Sequence, residues 1–491
     1  MGTAVVKDKF TDDDYHAFNG RMELQLTQLR EQLNQPAFHR KLFSVGAELE
    51  LYLIDDEGLP SPVNQEILDA ANNPQFTPEL NRYNLEMNMS PVALPGAPFK
   101  ALHDEINAFF GDLRRHAAAF NTDLIPIGTL PTLRTEHFDP SYMTDKPRFH
   151  ALARGLASEE GGRYRINING KDSFLMEGEG IAAEGANTSF QVHLRLPADH
   201  FAHCFNAAQL MTPLVLSLAA NSPLLSGYRL WQETRVALFK QSVDFRNARG
   251  QNWRYPSRVN FGQGWVRQGA WELFAENVAL FPAILPVIYE DDDTSQQNPP
   301  PLSELCLHNG TVWSWNRAVY SNADDGHVRI EFRALPAGPT TIDMVANAAF
   351  IIGLTLGTQE FANELMTGLP FRLAEYNFYR SAQDGINAKL LWPSHHMGGI
   401  IERPVVELIE QFLPLAREGL DILGGDKDDS DACMKVIEER LAKRTNGARW
   451  QLERYEHYRQ HCSVEESSAR LLRDYVENFK TGKPVAEWAK D

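Results

Sequence analysis

The sequence predicts an α+β protein, in which a mostly antiparallel sheet packs against helices on one face and a helical part follows at the C-terminus. Four separated stretches alternate apolar and polar residues with a period of two, the pattern of a strand with one buried face. Nearly all of the chain after Pro339 instead shows the apolar spacing of amphipathic helices.

The first stretch, residues 43–55, places two carboxylates on one face. Its odd positions are apolar, whereas Glu48 and Glu50 occupy even positions two residues apart. Successive strand side chains point to opposite faces, so both carboxylates point the same way.

Three later stretches repeat the alternation, at residues 84–90, 189–196 and 328–334. If the four strands share one antiparallel sheet, one face packs on helices and the other presents their polar residues. These are Glu48, Glu50, Glu86, Asn88, Gln191, His193, Arg195, Arg329, Glu331 and Arg333. The residue types suit a face where divalent cations and anions meet.

Such a face could also be the solvated side of an amphipathic sheet. The polar positions of the four strands contain no Lys and no Thr, however, although an ordinary wet face uses both freely. Glu, Arg, His, Asn and Gln recur instead, which favours a functional face.

The charge of the chain restricts its partners. Its 491 residues carry a formal net charge of −18, whereas nucleic acid and anionic membranes attract a basic surface. We therefore expect small-molecule partners, no nucleic acid and no membrane. An anionic ligand would need locally placed Arg side chains and metal ions.

Cysteine usage and the N-terminus favour a cytoplasmic protein. The four cysteines are far apart, without the paired spacing of a zinc or dithiol site. The N-terminus lacks the apolar core of a signal peptide. The most apolar long stretch, residues 344–357, contains Asn347 and is too short to span a bilayer.

Helical spacing marks further elements around the strands. We predict helices at residues 12–33, 99–120, 200–218, 230–245, 342–366, 405–423, 431–444 and 467–480. A strand within residues 311–320 is followed by a hairpin turn at 324–326, and residues 131–162 form either a surface connection or a lid. The predicted organisation is an N-terminal helical arm (1–40), a catalytic domain (41–365) and a helical C-terminal part packed on the same body (366–491).

Two arginines are candidates for binding a substrate carboxylate, because guanidinium grips carboxylate through two parallel hydrogen bonds. Arg235 lies among apolar residues of a predicted helix, where it could equally form a structural ion pair. Arg258 lies in a loop rich in Gly, Arg and aromatic residues. Asn88, on the polar face, is a third candidate for substrate binding.

The ordered set of motifs resembles the glutamate–cysteine ligase family. The elements that carry the resemblance are Gly46-Ala47-Glu48-Leu49-Glu50, Glu79 and Glu86 ahead of Ser90-Pro91, Gln191-Val192-His193, and Arg329-Ile330-Glu331-Phe332-Arg333. The resemblance covers roughly residues 43–365 and implies a glutamine-synthetase-like fold, a curved sheet with helices on its convex face. It also implies that the concave face holds Mg²⁺ (or Mn²⁺) and the phosphates of ATP.

The resemblance further implies roles for individual residues. Glu48, Glu50, Glu86 and Glu331 match the family's metal ligands, and Arg333 matches a phosphate-facing arginine. Arg329 is assigned with Arg333 to catalysis, and Glu79, Gln191 and His193 are further metal candidates. Two departures are visible: one extra residue lies between Glu86 and Ser90-Pro91, and Gln191 precedes His193, which leaves open which of these two contacts metal.

Three functions follow as hypotheses. The first is an ATP- and Mg²⁺-dependent ligase that joins the γ-carboxylate of L-glutamate to an amine, most simply that of L-cysteine, through an acyl phosphate. The second is a ligase for another amine or acid, or a guanidino-type phosphotransferase. The third is an inactive relative that binds ATP and metal, which the intact set of carboxylates argues against. The oligomeric state stays open.

Overall fold

The first predicted strand lies inside the main sheet, with partners on both sides. In this computed structural model, the structure describes residues 9–40, 42–157, 163–246, 255–289, 298–394 and 398–489. The tail of the predicted lid, residues 158–162, lies outside the described residues.

The described chain contains the following helices. They are α1 (Asp12–Leu33), α2 (Asn64–Ala71), α3 (Pro98–Ala117), α4 (Pro147–Ala157), α5 (Phe201–Ala219), α6 (Thr234–Ser242), α7 (Ala270–Leu280), α8 (Ser303–Asn309), α9 (Thr341–Thr358), α10 (Ala362–Gly368), α11 (Phe371–Asp384), α12 (Val405–Leu423), α13 (Lys427–Lys443), α14 (Gly447–Arg459) and α15 (Val464–Lys480).

The strands form one large sheet and four short pairs. They are β1 (Ser44–Ile54), β2 (Phe76–Pro78), β3 (Asn84–Asn88), β4 (Val92–Ala93), β5 (Asp123–Ile125), β6 (Arg163–Asn169), β7 (Ser173–Glu179), β8 (Phe190–Leu196), β9 (Leu224–Leu225), β10 (Tyr228–Arg229), β11 (Val259–Asn260), β12 (Trp313–Ser314), β13 (Asn316–Ser321), β14 (His327–Phe332), β15 (Lys389–Pro393) and β16 (Ile400–Pro404).

The large sheet joins all four predicted strands. Its order is β13-β14-β8-β1-β3-β2, with β4 and β5 also paired to β1. Every pairing in it is antiparallel, which confirms the predicted fold class. The hairpin turn predicted at residues 324–326 connects β13 to β14.

The apolar face of the sheet packs against helices. Val45, Leu49 and Leu51 of β1 are fully buried, and α3, α5 and α9 contact the strands. Burying this face removes apolar area worth about 25 cal/mol per Å² from water. The opposite, polar face is also covered, since Gln191 and Glu331 are each only 2% exposed.

Several helices begin or end within a few residues of the predicted boundaries. The bounds of α1 and α12 coincide with the prediction, and a capping box at Thr11 explains where α1 begins. The third helix of the C-terminal part, α13, begins four residues earlier than predicted because Asp426 caps it.

The C-terminal part is less uniformly helical than predicted. A β-hairpin, β15 with β16, interrupts it at residues 389–404. Leu390 and Trp392 are buried while their neighbours are not, so the segment has a strand period over only five residues. The hairpin of β6 and β7 and the helices α4, α7 and α8 were likewise not predicted.

Close helix packing attaches the C-terminal part to the core. Helix α9 contacts α12 and α13. Among the described helices, the stretch Thr341–Gly368 is long and apolar enough to cross a membrane, and 89% of its most apolar window is buried inside the protein.

The crossing of α9 and α12 depends on glycine. A Cβ on Gly357 would lie 1.9 Å from the carbonyl oxygen of Leu415, and one on Gly419 would lie 1.9 Å from that of Gly353. Backbone cannot move away as a side chain can, so each added methyl forces the helices apart.

We therefore expect Gly357→Ala to destabilise the protein by roughly 1–3 kcal/mol, the usual cost of overpacking. Gly111→Ala is the matched control, because Gly111 lies on the exposed side of α3 and an added Cβ there meets nothing within 4 Å. That change should stabilise by about 0.5–1 kcal/mol through helix propensity. Thermal melts of both variants test this prediction. An equal shift of the melting temperature in both variants would contradict the packing argument.

Candidate active site

Strand register brings the predicted polar residues together. Glu50 lies opposite Glu86 on β3, and Glu48 lies between Asn88 on β3 and Gln191 on β8. His193 in turn lies opposite Glu331 on β14. The alternation read from the sequence therefore places these side chains on one continuous face.

The first potential metal group consists of Glu48, His193 and Glu331. One ligand atom from each lies within 4.8 Å of the other two. The buried His193 Nε2 is 3.2 Å from Glu48 Oε1 and 4.0 Å from Glu331 Oε1, yet it makes no well-directed hydrogen bond. A buried nitrogen between two carboxylates, without a satisfied hydrogen bond, fits a cation ligand.

The second group consists of Glu50, Glu79 and Glu86, again with ligand atoms within 4.8 Å of one another. Glu50 accepts hydrogen bonds from the Ser189 backbone N–H (2.7 Å) and from Gln191 Nε2 (2.9 Å). Two donors fix this carboxylate, and hydrogen bonds from Thr77 and the Leu80 backbone N–H likewise position Glu86 and Glu79. Three carboxylates at this spacing suit an oxygen-seeking ion such as Mg²⁺ or Mn²⁺.

Burial affects the two groups in opposite directions. In the second group, burial and the neighbouring Glu48 and Glu50 raise the pKa of Glu86 to about 7. Burial, followed by Glu86 and Glu50, raises the pKa of Glu79 well above its ordinary value. The second group therefore resists full ionisation until a cation binds.

The first group remains ionised despite its burial. Burial opposes ionisation of Glu331, but Arg317, Arg333 and His193 outweigh it and hold the pKa of this carboxyl well below its ordinary value. Burial also opposes ionisation of Glu48, but the neighbouring His193 outweighs it and lowers the pKa of this carboxyl.

Two arginines compensate the charge of Glu331. Arg317 on β13 donates two hydrogen bonds to it, of 2.6 and 3.0 Å, and Arg333 Nη1 lies 3.2 Å away. The sequence analysis missed Arg317, although it lies on a predicted strand. Its register position opposite Glu331 explains its role.

The structure gives the two residues of the Gln191/His193 pair different roles. Gln191 donates to Glu50 and accepts from Arg333, so both ends of its amide are engaged by protein. His193 instead belongs to the first potential metal group. Metal contact by either residue remains a prediction.

Asn88 and Arg329 both contact the potential metal groups. Asn88 Nδ2 donates to Glu86 Oε1 at 2.9 Å. Arg329 Nε donates to His193 Nδ1 at 3.2 Å. Their predicted roles, substrate binding for Asn88 and catalysis for Arg329, are not tested by these contacts.

Arg235 lies in the protein interior as a structural ion pair. Its guanidinium, 2% exposed, donates to Glu233 Oε1 at 2.8 Å and to the carbonyl of Ala334 at 2.7 Å. In this arrangement no ligand reaches it, so its geometry corresponds to the structural alternative and not to the substrate anchor. The bond to Ala334 fixes the backbone next to Arg333.

Arg258 is also occupied by protein groups. It donates to the backbone carbonyls of Thr311 and Pro282, and burial lowers the pKa of its guanidinium to about 10. None of these contacts is with the polar face. Its proposed role in binding an amino-acid carboxylate stays a prediction without support from the geometry.

Two charged residues from outside the sheet complete the site. Burial and the charge of Glu50 raise the pKa of Glu184 to about 8, and Arg148 at the start of α4 interacts electrostatically with Glu79 and Glu86. Sequence periodicity could not find either, because both belong to connections between the strands. The region predicted as a surface connection or lid thus contributes a cation to the site through α4.

The family comparison agrees with this geometry. The sequence model of glutamate–cysteine ligase family 2 matches residues 44–470, which include every residue of the two potential metal groups. The chain belongs to glutamate–cysteine ligase family 2. The resemblance inferred from the motifs is therefore confirmed.

Individual relatives are distant. A Rhodococcus jostii (strain RHA1) protein with the provisional name glutamate–cysteine ligase 2-1 is 27% identical over 188 residues, 38% of this chain and 43% of that protein. The match thus spans less than half of the relative's length.

Solved structures share the fold at low identity. The structure of a glutamate–cysteine ligase from Francisella tularensis in complex with AMP aligns with a TM-score of 0.52 at 11% identity, over 90% of each chain. A bifunctional glutathione synthetase from Pasteurella multocida aligns with a TM-score of 0.48 at 13% identity, over 95% of this chain and 54% of that one. The Francisella match shows that this family 2 protein shares the glutamate–cysteine ligase fold.

The contrast between the two groups predicts opposite effects of neutral substitutions. Glu86→Gln removes a carboxylate that its surroundings disfavour when charged, so metal-free protein should melt at a higher temperature. Glu331→Gln leaves Arg317 and Arg333 buried without their counter-charge and should cost about 3 kcal/mol. Thermal melts in chelator at neutral pH test this, and shifts of the same sign would contradict the charge assignment.

The raised pKa values also predict a pH dependence of stability. Unfolded glutamates release their protons near pH 4.3, whereas folded Glu86 retains its proton up to about pH 7 and burial raises the pKa of Glu79 well above its ordinary value. Folded protein then binds more protons, so metal-free stability should fall as pH rises from about 5 to 8. Excess Mg²⁺ or Mn²⁺ should abolish the decline, as melting temperatures across this range would show. A metal-free melting temperature that is constant or rises would contradict the prediction.

Proposed function

We propose that this protein is an ATP- and Mg²⁺-dependent ligase that joins the γ-carboxylate of L-glutamate to an amine, most simply that of L-cysteine. One observation carries the proposal: two groups of metal-type ligands share one sheet face with the paired arginines Arg317 and Arg333. A triphosphate and a carboxylate could meet there with their charges compensated.

The chemistry requires such a face. A carboxylate is a poor acyl donor, so the γ-phosphoryl group of ATP is first transferred to it, giving an acyl phosphate that the amine attacks with loss of phosphate. Catalysis of phosphoryl transfer is mostly positioning and charge neutralisation. Bound Mg²⁺ would neutralise and orient phosphate oxygens.

The residues of the polar face would have separate roles in this reaction. Glu48, His193 and Glu331 would hold one cation, and Glu50, Glu79 and Glu86 another. Arg333, which keeps its proton throughout, would face the transferred phosphoryl group. Gln191 links Glu50 to Arg333 and so sets the spacing between a cation ligand and this arginine.

The names of the relatives support the substrate choice without deciding it. The name of the Francisella glutamate–cysteine ligase gives glutamate and cysteine for that protein, and its complex with AMP gives a nucleotide. A ligase for another amine or acid, or an inactive relative that binds ATP and metal, is the alternative. We also propose a cytoplasmic location and small-molecule partners, on the basis of charge and cysteine usage.

The test is ADP release from ATP and Mg²⁺ with a panel of amino acids, alone and in pairs. We expect release to require glutamate together with one amine, with cysteine the best partner. Hydroxylamine in place of the amine should trap the acyl phosphate as γ-glutamyl hydroxamate. ADP release with a different pair of amino acids would show that the amine substrate is not cysteine. If no pair released ADP, the hypothesis of an inactive relative that binds ATP and metal would remain.

Glu48→Gln is expected to lower turnover by about 100-fold or more, because it removes one ligand and its charge from the reacting centre. Glu57→Gln, in the exposed turn after β1, is the matched control and should behave as wild type. Near-normal turnover of Glu48→Gln at saturating Mg²⁺ would remove Glu48 from the metal ligands.

A further inference from the structure

A second feature of the polar face lies beyond the first metal group. Arg195 on β8 and Arg329 on β14 are direct cross-strand neighbours. They occupy the register position next to the His193–Glu331 pair on the same face, about 7 Å further along the strands. The face thus continues from a negative region into a positive one.

Like charges opposite each other in a sheet are destabilising. Solvent does little to relieve this pair, since the Arg195 side chain is only 14% exposed. The nearest carboxylate to Arg195 is that of Asp324, 3.7 Å away on a side chain that is 77% exposed. An exposed ion pair at that distance contributes little to the stability of the folded protein.

Among the described residues, no carboxylate forms a direct ion pair with Arg329, although the charges of Glu331 and Glu48 act on it at longer range. It donates hydrogen bonds to two imidazole nitrogens, His193 Nδ1 at 3.2 Å and His327 Nε2 at 3.3 Å. Burial, followed by Arg329 and Arg195, lowers the pKa of His327 to about 4, so this imidazole stays neutral. Arg329 is thus held in place by two imidazole rings and not by a carboxylate.

The other two arginines of this face are different. Arg317 and Arg333 both contact the carboxylate of Glu331 directly. Their charge is compensated by direct contact with a buried carboxylate, whereas Arg195 contacts only the exposed Asp324 and Arg329 makes no such contact among the described residues. A half-buried pair of guanidinium groups at the edge of a site is a typical arrangement for binding a carboxylate or phosphate.

We propose that Arg195 and Arg329 form an anion-binding subsite that holds a phosphate or carboxylate group of a substrate whose reacting end lies at the metal groups. The proposal rests on the proposed function for the identity of the substrate. The two sources of this anion are the nucleotide phosphates and the α-carboxylate of the amino acid. The bound anion places a counter-charge in direct contact with both guanidinium groups and relieves their mutual repulsion.

The test is calorimetric titration with three probes: ADP in the presence of Mg²⁺, L-glutamate, and inorganic phosphate. Arg195→Met and Arg329→Met are compared with wild type. Losing a charged hydrogen-bond donor should weaken binding of the held anion about 10-fold or more. Loss confined to ADP and phosphate assigns a nucleotide phosphate, and loss confined to glutamate assigns the amino-acid carboxylate.

The matched control is Arg165→Met. Arg165 also lies 3.7 Å from a carboxylate, that of Glu177 across the exposed hairpin of β6 and β7, and its removal changes the net charge equally. The control should leave all three affinities unchanged. Without ligand, Arg195→Met should raise the melting temperature, because it removes a repulsion.

Two results would overturn the proposal. One is that both variants bind the probes as wild type does, with Arg195→Met melting lower, which would make the pair with Asp324 structural. The other is that wild type binds none of the three probes. Failure of the ligase function is separate, since it would appear as absent ADP release with any amino-acid pair while anion binding still depended on Arg195 and Arg329.

Discussion

The structure depends on how one sheet face carries buried charge. An unpaired ion in a protein interior costs several kcal/mol, so each carboxylate there needs a partner. At Glu331, Arg317 supplies it from the neighbouring strand and Arg333 from the residue that follows β14. This pairing fixes the register of β13 on β14, and His193 opposite Glu331 ties β14 to β8. The same charged contacts therefore determine both the geometry of the site and the order of the strands in the sheet.

Much of this was readable from the sequence, because the two faces of a strand alternate whatever its partners are. The period of two placed Glu48, Glu50, Gln191, His193 and Glu331 on one face, and the register confirms it. Hairpin β6–β7 has the same signal, since Tyr164, Ile166 and Ile168 are buried in alternation, and lay within reach of the same argument. Hairpin β15–β16 could not be predicted in this way, because periodicity alone does not distinguish a short apolar strand from a segment of buried helix.

The remainder of the site depends on contacts between distant parts of the chain. Glu184 and Arg148 come from connections in which no period relates a residue to the sheet. Arg235 illustrates the same limit differently: its apolar surroundings indicated burial, but only the fold shows that its partner is Glu233, two residues earlier, and not a ligand. Sequence patterns predict which face a residue occupies and leave the identity of its neighbour open.

The two metal groups differ in what a cation would change. The Glu48, His193 and Glu331 group is already balanced, since Arg317 and Arg333 neutralise Glu331 and keep it ionised. In the Glu50, Glu79 and Glu86 group, desolvation and mutual repulsion oppose ionisation, so a cation there must displace protons. A cation that arrives bound to a triphosphate would supply the positive charge that the second group needs. The same cation would hold the triphosphate beside that group. The second group is therefore the one whose occupancy should be most tightly linked to the nucleotide, while the first keeps its arrangement whether or not a ligand is bound.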